Sequence, residues 1–341
     1  MSASPKSLGE ILAGGTGERA LSDTEAMVEN LRRMQARNKA ETAAVGASSN
    51  NSPKAGQGSP SRVLAEKPKP PSSDQLLPYW ADNRRAVSND MARSSLFTVR
   101  QKEKRLHFRA HSVATMKNVE IRYTGEELRQ RDEDVLLQLM HYGRLAKVGE
   151  PIRFVAKDML DQLGWGHNNR AYNDLAESID RMKASSLQIV TRLSNGERRF
   201  GGSLVRSFET RSQMGDSRTA KWAVTFEPRI IALFSHAAYT QIDWDQRRTL
   251  SPIAKWMHSF YFTHQNPFPM KVATLRQLCG SASKELFRFR YVIRGALDEL
   301  VKVGFLRAWA LDKESDLVEV FRQHDPLLIE SSQKQVDLPV S

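Results

Sequence analysis

Helix, short helix, longer helix and β-hairpin follow one another twice in this 341-residue chain, about 115 residues apart, behind 78 residues that contain no Phe, Tyr or Trp. That order is a helix-turn-helix with a hairpin attached. A repeat so long exceeds a solenoid unit and implies two similar domains. The sequence therefore predicts an α+β fold, two tandem winged-helix domains after a disordered N-terminal arm. The divisions are an arm and linker over 1–78, a first domain over 79–235, a second over 236–325 and a tail over 326–341.

The arm holds 7 of the 14 prolines as well as lacking aromatics. Such a segment cannot bury enough apolar surface to offset its ordering entropy. Ser22 and Asp23 precede Met27, Leu31 and Met34, which is at most a short, weakly amphipathic helix. The GGTG at 14–17 is no phosphate loop, because no strand precedes it and no Gly-Lys-Ser/Thr follows. Residues 48–73 have the composition of a linker.

In the first copy, Thr124 and Glu127 have the spacing of a capping box and open a helix with Leu128, Val135, Leu136, Leu139 and Tyr142 on one face. IRFVAKDMLDQLGW (152–165) follows as a short helix stopped by Gly164. A longer helix runs from about Asn168 to Ala184, with Tyr172, Leu175, Ile179 and Met182 inward. Three alternating segments, 187–193, 201–208 and 221–226, read as strands, and Asn195-Gly196 between the first two is a hairpin turn.

In the second copy, Ser251-Pro252 supplies an N-cap and a first-turn proline. The helix that they open faces inward with Ile253, Trp256, Met257, Phe260 and Tyr261. FPMKVATLRQLCG (268–280) then repeats the first short helix at a constant offset. Ile152/Phe268, Phe154/Met270, Ala156/Val272, Met159/Leu275, Leu163/Cys279 and Gly164/Gly280 pair up. A helix over 284–302 comes next, with Leu286, Phe289, Ile293, Leu297 and Leu300 on one face, then strands 305–311 and 317–321 around a polar turn.

The formal net charge is +12 and the pI about 9.8, a balance that suits nucleic acid or an anionic membrane. Residues 1–78 carry only +2, so the excess of +10 belongs to the part that folds. A lone Cys279 excludes internal disulfides and multi-thiolate zinc, and suits a reducing compartment. No apolar run reaches bilayer length and the N-terminus lacks a signal-peptide core, so the expected location is the cytosol, with no membrane contact.

The first half of the 284–302 helix carries Lys284, Arg288, Arg290 and Arg294 against Glu285, the reverse of what the helix dipole favours. A solvated face is one explanation. The other is that this is a recognition helix, whose N-terminal half meets base edges in the major groove. Lys284, Arg288 and Arg294 lie away from the apolar face, whereas Arg290 falls at its edge and is the weakest of the four. Arginine takes guanine O6 and N7 with its fork, and either cation neutralises phosphate. Phe287 and Tyr291 share that side, where they would touch thymine methyls or pack against the wing.

The matching first-copy helix begins HNNRAYND, with Asn168, Asn169, Arg170 and Asn173 outward or at its entrance. Asparagine suits the donor–acceptor pair of adenine, although Asn168 is also placed to cap the helix. Arg198 and Arg199 beside the Asn195-Gly196 turn would sit at a wing tip near phosphates, unless the turn is simply solvated. Metal-dependent signatures such as H-x-H, H-E-x-x-H and C-x-x-C are missing, and His107 and His111 are flanked by Arg105 and Arg109. No catalytic residue, metal or cofactor is expected.

Several stretches carry a family resemblance: NDMARSSLFTVRQK (89–102), IRYTGEELR (121–129), GEPIRFVAKDMLDQLGW (149–165), TLSPIAKWM (249–257) and LRQLCGSAS (275–283). They resemble the TrfA-type replication initiators of broad-host-range IncP plasmids, over roughly 79–310. The resemblance implies two winged helices that bind direct repeats, or iterons, in double-stranded origin DNA. It also implies opening of an A·T-rich region, with contact to the melted single strand, and recruitment of the host initiator and replicative helicase. A homodimer is among the partners that it admits. The family carries a sliding-clamp motif, Gln-Leu-Ser-Leu-Phe, just before its folded region. QLLPY (75–79) stands there: Gln75 and Leu76 match, Tyr79 replaces Phe, Leu77 takes the Ser position and Pro78 the second Leu. The alternative for this segment is an apolar staple that holds the linker to the first domain. A plain winged-helix transcriptional regulator and a DNA nicking-joining enzyme are the competing function classes.

Overall fold

The structure, a computed structural model, describes residues 77, 80–147, 149–211, 219–234 and 238–323, all within the second of the chain's two units, Lys67–Ser341. The expectations for the arm, for Gln75, Leu76 and Tyr79, and for the tail lie outside the described residues. In chain order the elements begin with β1 (Arg84–Ser88), α1 (Asn89–Ala92), β2 (Phe97–Thr98), β3 (His107–Val113), β4 (Val119–Glu126) and β5 (Leu128–Arg129). Then come α2 (Gln130–Gly143), β6 (Ile152–Val155), α3 (Ala156–Leu163), α4 (Asn169–Ala184), β7 (Ser186–Leu193), β8 (Gly196–Gly202), β9 (Val205–Arg211) and β10 (Lys221–Phe226). A 3-10 helix (Pro228–Phe234) leads to β11 (Tyr239–Asp243), α5 (Trp244–Thr249), α6 (Pro252–Phe262), β12 (Met270–Lys271), α7 (Val272–Leu278), α8 (Leu286–Lys302), β13 (Leu306–Leu311) and β14 (Leu317–Arg322). The fold is mixed α/β around one continuous apolar core.

The internal repeat is visible in the sheets. β6-β10-β9 and β12-β14-β13 are three-stranded antiparallel sheets with the same arrangement, a strand before the short helix pairing with the last strand of its unit. α3 starts at Ala156 and α7 at Val272, as the offset requires. Phe154/Met270, Ala156/Val272, Met159/Leu275 and Leu163/Cys279 are all buried. Gly164 and Gly280 both turn left-handed after their helices, at φ 68° and 65°. Gly280 has a second reason to be glycine, because a Cβ there would lie 2.9 Å from Thr98 Cγ2. The pair Ile152/Phe268 fails. Phe268 is 49% exposed, since β12 starts only at Met270 and the chain at 268 has not yet joined its sheet.

Three element assignments need correction. Thr124 and Glu127 do not open a helix: Val119–Glu126 is a strand paired on both sides, with Ile121 opposite Ile189 and Tyr123 opposite Leu187. Ladder hydrogen bonds with two neighbours outcompete one local cap. The helix opens at Gln130, where the Asp132 carboxylate accepts from the Arg129 N–H at 2.8 Å. The stretch 152–165 starts as strand β6 before becoming α3. The Asn195-Gly196 turn does join β7 and β8, but that hairpin belongs to the four-stranded sheet β3-β4-β7-β8. The hairpin beside α4 is β9–β10, so residues 201–208 end one strand and begin another. Both hairpins alternate in polarity, and alternation does not say which sheet a hairpin joins.

The two repeats are bound through the segment that precedes them. β1 pairs antiparallel with β11, Arg85 opposite Ile242, across the division placed near 235. Trp256 Nε1 on α6 donates to the Ser94 carbonyl at 3.0 Å. Val99 N–H donates to the Cys279 carbonyl at 3.0 Å. Arg247 on α5 reaches Glu133 and Asp134 on α2. These contacts hold α4 and α8 in one body.

Candidate nucleic-acid interface

The α8 helix buries Phe289, Ile293, Ala296, Leu297 and Leu300, and Leu286 is half-buried. That 3–4 spacing leaves the other side to solvent: Arg288, Arg294, Phe287 and Tyr291 are exposed, Tyr291 by 81%. No acid occupies its first turn, and Glu285 at the N-cap makes no side-chain capping hydrogen bond. Among the described residues, neither Arg288 nor Arg294 has a carboxylate partner; the Arg288 guanidinium lies 5.7 Å from the Phe287 ring. Lys284 sits before the helix, exposed, while its carbonyl accepts from Arg276 at 2.7 Å. Arg290 is engaged. Its fork meets both oxygens of Asp316, at 2.6 and 2.9 Å, tying α8 to the β13–β14 turn.

On α4, Ala171, Tyr172, Leu175, Ser178, Ile179 and Met182 face the core. Asn168 is the N-cap, its side-chain oxygen accepting from Ala171 N–H at 2.9 Å, so its amide is committed to the helix. Asn169, Arg170 and Asn173 are exposed in the first two turns. They occupy the place in the first repeat that Arg288 and its neighbours occupy in the second.

Arg198 and Arg199 are not at the tip of the hairpin beside α4. Arg198 donates to the buried Asp90 at 2.6 Å, fastening β8 to α1, and Arg199 pairs with Glu197 at 2.6 Å on the four-stranded sheet. Their nearness to the Asn195-Gly196 turn is real, but the turn belongs to another sheet. Cys279 is buried, and burial pushes its thiol up to about 12, which leaves it unreactive at neutral pH. Among the described residues, no group of three or more His, Cys, Asp or Glu side chains is placed to hold a metal ion. No helix among them is long and apolar enough to cross a membrane.

Sequence reasoning missed a second basic feature beside α4, built from the 100–105 segment and the start of α2. A signal was present: Arg100, Lys102, Lys104, Arg105 and Arg109 fall within ten residues. The convergence of Arg100, Lys102 and Arg105 with Arg129 and Arg170 depends on tertiary contacts that no local pattern encodes.

The family model described as TrfA protein matches residues 72–322. The plasmid replication initiator protein TrfA of Escherichia coli is 33% identical over 248 residues, covering 71% of this chain and 63% of that protein. The chain thus spans less than two thirds of that relative's length. Two crystal structures of domains 2 and 3 of RctB align with 66% and 67% of this chain and 95% of theirs, at 14% and 13% identity and TM-scores of 0.48 and 0.45.

Proposed function

The chain belongs to the TrfA family, and from that membership we propose that it is a plasmid replication initiator, a DNA-binding scaffold rather than an enzyme. In this reading the two repeats are tandem winged helices, with α4 and α8 as recognition helices and β9–β10 and β13–β14 as wings. They bind direct repeats in double-stranded origin DNA, promote opening of an A·T-rich region and recruit host replication proteins, among them the sliding clamp through Gln75, Leu76 and Tyr79. The setting is the bacterial cytosol.

The observation that carries the proposal is the exposed side of α8, which presents Arg288 and Arg294 behind a first turn without acids, matched in position by Asn169, Arg170 and Asn173 on α4. Arginine suits guanine and asparagine suits adenine, so the two helices would read different sequences. The excess of +10 on residues 79–341 supplies the phosphate-directed attraction that any such reader needs. The test is binding and strand opening on supercoiled plasmid carrying the cognate origin. Protection of repeated sites with permanganate-reactive thymines in a neighbouring A·T-rich segment supports initiation. Protection of an operator alone, without opening, makes the protein a transcriptional regulator.

A further inference from the structure

A cleft of about 380 Å³ lies beside the entrance of α4, and its walls come from three separate parts of the chain. Arg100, Lys102 and Arg105 come from the segment before β3, Arg129 and Arg131 from the junction of β5 and α2, and Arg170 and Arg181 from α4. Pro252, the first residue of α6, completes the rim, so the cleft opens where the second repeat begins.

Buried carboxylates hold most of these cations from behind. Asp132, fully buried, takes Arg105 at 2.7 Å and Arg181 at 2.9 Å. Glu127, 1% exposed, takes Arg129 at 2.9 Å and stands 3.4 Å from Arg100. Arg129 also donates to the carbonyls of Gln101 and Glu103, at 2.8 and 2.6 Å, which fixes the loop that carries Lys102. The Arg131 guanidinium carbon stands 3.8 Å from the centroid of the Trp165 ring, and the side chain pairs with Asp174. Glu177 accepts from Arg181 at 3.3 Å. Glu126 stands 3.9 Å from Arg181, so seven cations face five carboxylates and the surplus is two positive charges in a preorganised wall. Lys102 and Arg170 are exposed and have no carboxylate partner among the described residues. The buried Nε of Arg100 has no hydrogen-bond partner.

We propose that this cleft is a phosphodiester clamp, which seats backbone phosphates of the DNA duplex at the junction of the two repeats. The inference rests on the proposed DNA-binding role and adds a contact that carries no sequence information. Arginines fixed in a fork geometry match phosphate oxygens, and their pairing with buried acids removes the entropy of ordering them on binding. A duplex is favoured over a free anion because Arg170 shares the first two turns of α4 with Asn169 and Asn173. Whatever fills the cleft therefore lies beside whatever the reading face touches, and the strand backbone borders the major groove on that side.

The experiment uses the full chain with the double variant Lys102→Ala/Arg170→Ala, chosen because neither side chain holds another in place. Affinity is measured against salt on an origin duplex and on an unrelated duplex of equal length. The clamp requires a loss of about tenfold on both duplexes at physiological salt, with the slope of log K against log salt reduced by about two, and unchanged thermal melting. Neutral methylphosphonate linkages placed between the two half-sites should weaken the wild type and leave the variant indifferent. Unchanged affinity and slope overturn the proposal. So does a loss confined to the origin duplex, which would make Arg170 a base reader. Failure of the wild type to prefer the origin would count against the initiator reading alone, because the clamp is assayed on the unrelated duplex as well.

Discussion

Arg247 on α5 donates through Nε to Asp134 Oδ1 on α2 at 2.8 Å, and both side chains are buried. The same guanidinium donates to Glu133 at 3.0 Å and to the Ser259 hydroxyl at 2.6 Å, while Lys255 Nζ meets the other Asp134 oxygen at 2.5 Å. Two cations meet two carboxylates in this knot, and burial pushes the Glu133 carboxyl above its ordinary range although Arg247 opposes it. Burial works against ionised Asp134, yet Lys255 and Arg247 hold its carboxyl below the usual range. Because α2 belongs to the first repeat and Ser259 and Lys255 to α6 of the second, the knot sets how α4 and α8 stand to each other.

Removing one member of a buried ion network leaves charge without compensation, at a cost of about 3–5 kcal/mol. Arg247→Ala should destabilise the protein by that amount, read from urea unfolding monitored by the tryptophans. Arg247→Lys keeps the charge but loses the fork, and should fall between the two. A change below about 1 kcal/mol in the alanine variant would mean that the network is dispensable.

Stability should also fall in mild acid. His141 is buried beside Arg85 and Arg144, and accepts from Trp80 Nε1 at 3.0 Å. Burial, with those two arginines, pushes its imidazole down to about 3. His258 is likewise buried and held well below its ordinary value by burial, with Arg247, Arg322 and Arg84 nearby. Both histidines are neutral in the native state and take up protons only on unfolding. The unfolded chain therefore binds more protons below about pH 6.5, and stability drops as the pH falls from there toward the folded values. Each histidine contributes up to about 1.4 kcal/mol per pH unit. Urea unfolding between about pH 7 and 5, above most carboxylate titration, reads the slope. His141→Gln, whose carbonyl still accepts from Trp80, should reduce it by one proton's worth.

What local pattern determines was legible. Gly164 and Gly280 stop their helices, Asn168 caps α4, and the inward faces of α4 and α8 follow from 3–4 spacing. What was not legible is non-local. Arg290 looked weak from its place on the helix, but its occupation by Asp316 is a contact 26 residues away. Arg198 finds Asp90 across 108 residues, and that partner moves it from a wing tip to a structural tie. The β4 strand reads locally as a helix start because one of its two flanking strands, β7, is remote in sequence, Ile189 lying opposite Ile121.

Arg288→Ala and Arg294→Ala should weaken specific DNA binding while thermal melting stays unchanged, because both side chains are exposed. A lost bidentate base contact costs about 1–3 kcal/mol and relaxes the preference at one base pair, whereas a lost phosphate contact weakens all sequences alike. Arg290→Ala should leave base discrimination intact, since its fork is taken by Asp316. Competition binding against single-base variants of the site separates these outcomes. Unchanged affinity in both Arg288 and Arg294 variants would remove α8 from the groove.

Leu77 separates two roles of the QLLPY segment. It is buried to 6% exposure against Gly143, Ile152, Phe226 and Ile230, so this position does staple the chain to the first repeat. In the clamp motif it stands at the Ser position, where its side chain is not the anchor. Leu77→Ala should therefore cost about 2–3 kcal/mol of stability while a peptide of residues 72–82 carrying the same change still binds purified sliding clamp. Alanine at Leu76 or Tyr79 should abolish that binding. If the unaltered peptide shows no binding at high micromolar concentration, stapling is left as the role of the segment.

The body that holds α4 and α8 together makes a prediction about the footprint. Two recognition helices on one side of a duplex meet successive major grooves, which recur every ~10–10.5 base pairs. One monomer should therefore protect about two helical turns. As proposed readers, the exposed asparagines of α4 and arginines of α8 would favour different bases, so the two halves of the protected site should differ in sequence. An unequal pair fixed in one orientation calls for direct repeats, since a palindrome serves two identical helices related by a dyad. Hydroxyl-radical footprinting at controlled salt, with the mass of the complex measured in parallel, checks both points. Arg247→Ala adds a further arm: with the knot opened, each half-site should still be bound, but protection of both halves by one molecule should weaken. A symmetric footprint produced only by a dimer, one half-site per subunit, would refute the tandem reader and indicate a dimeric repressor.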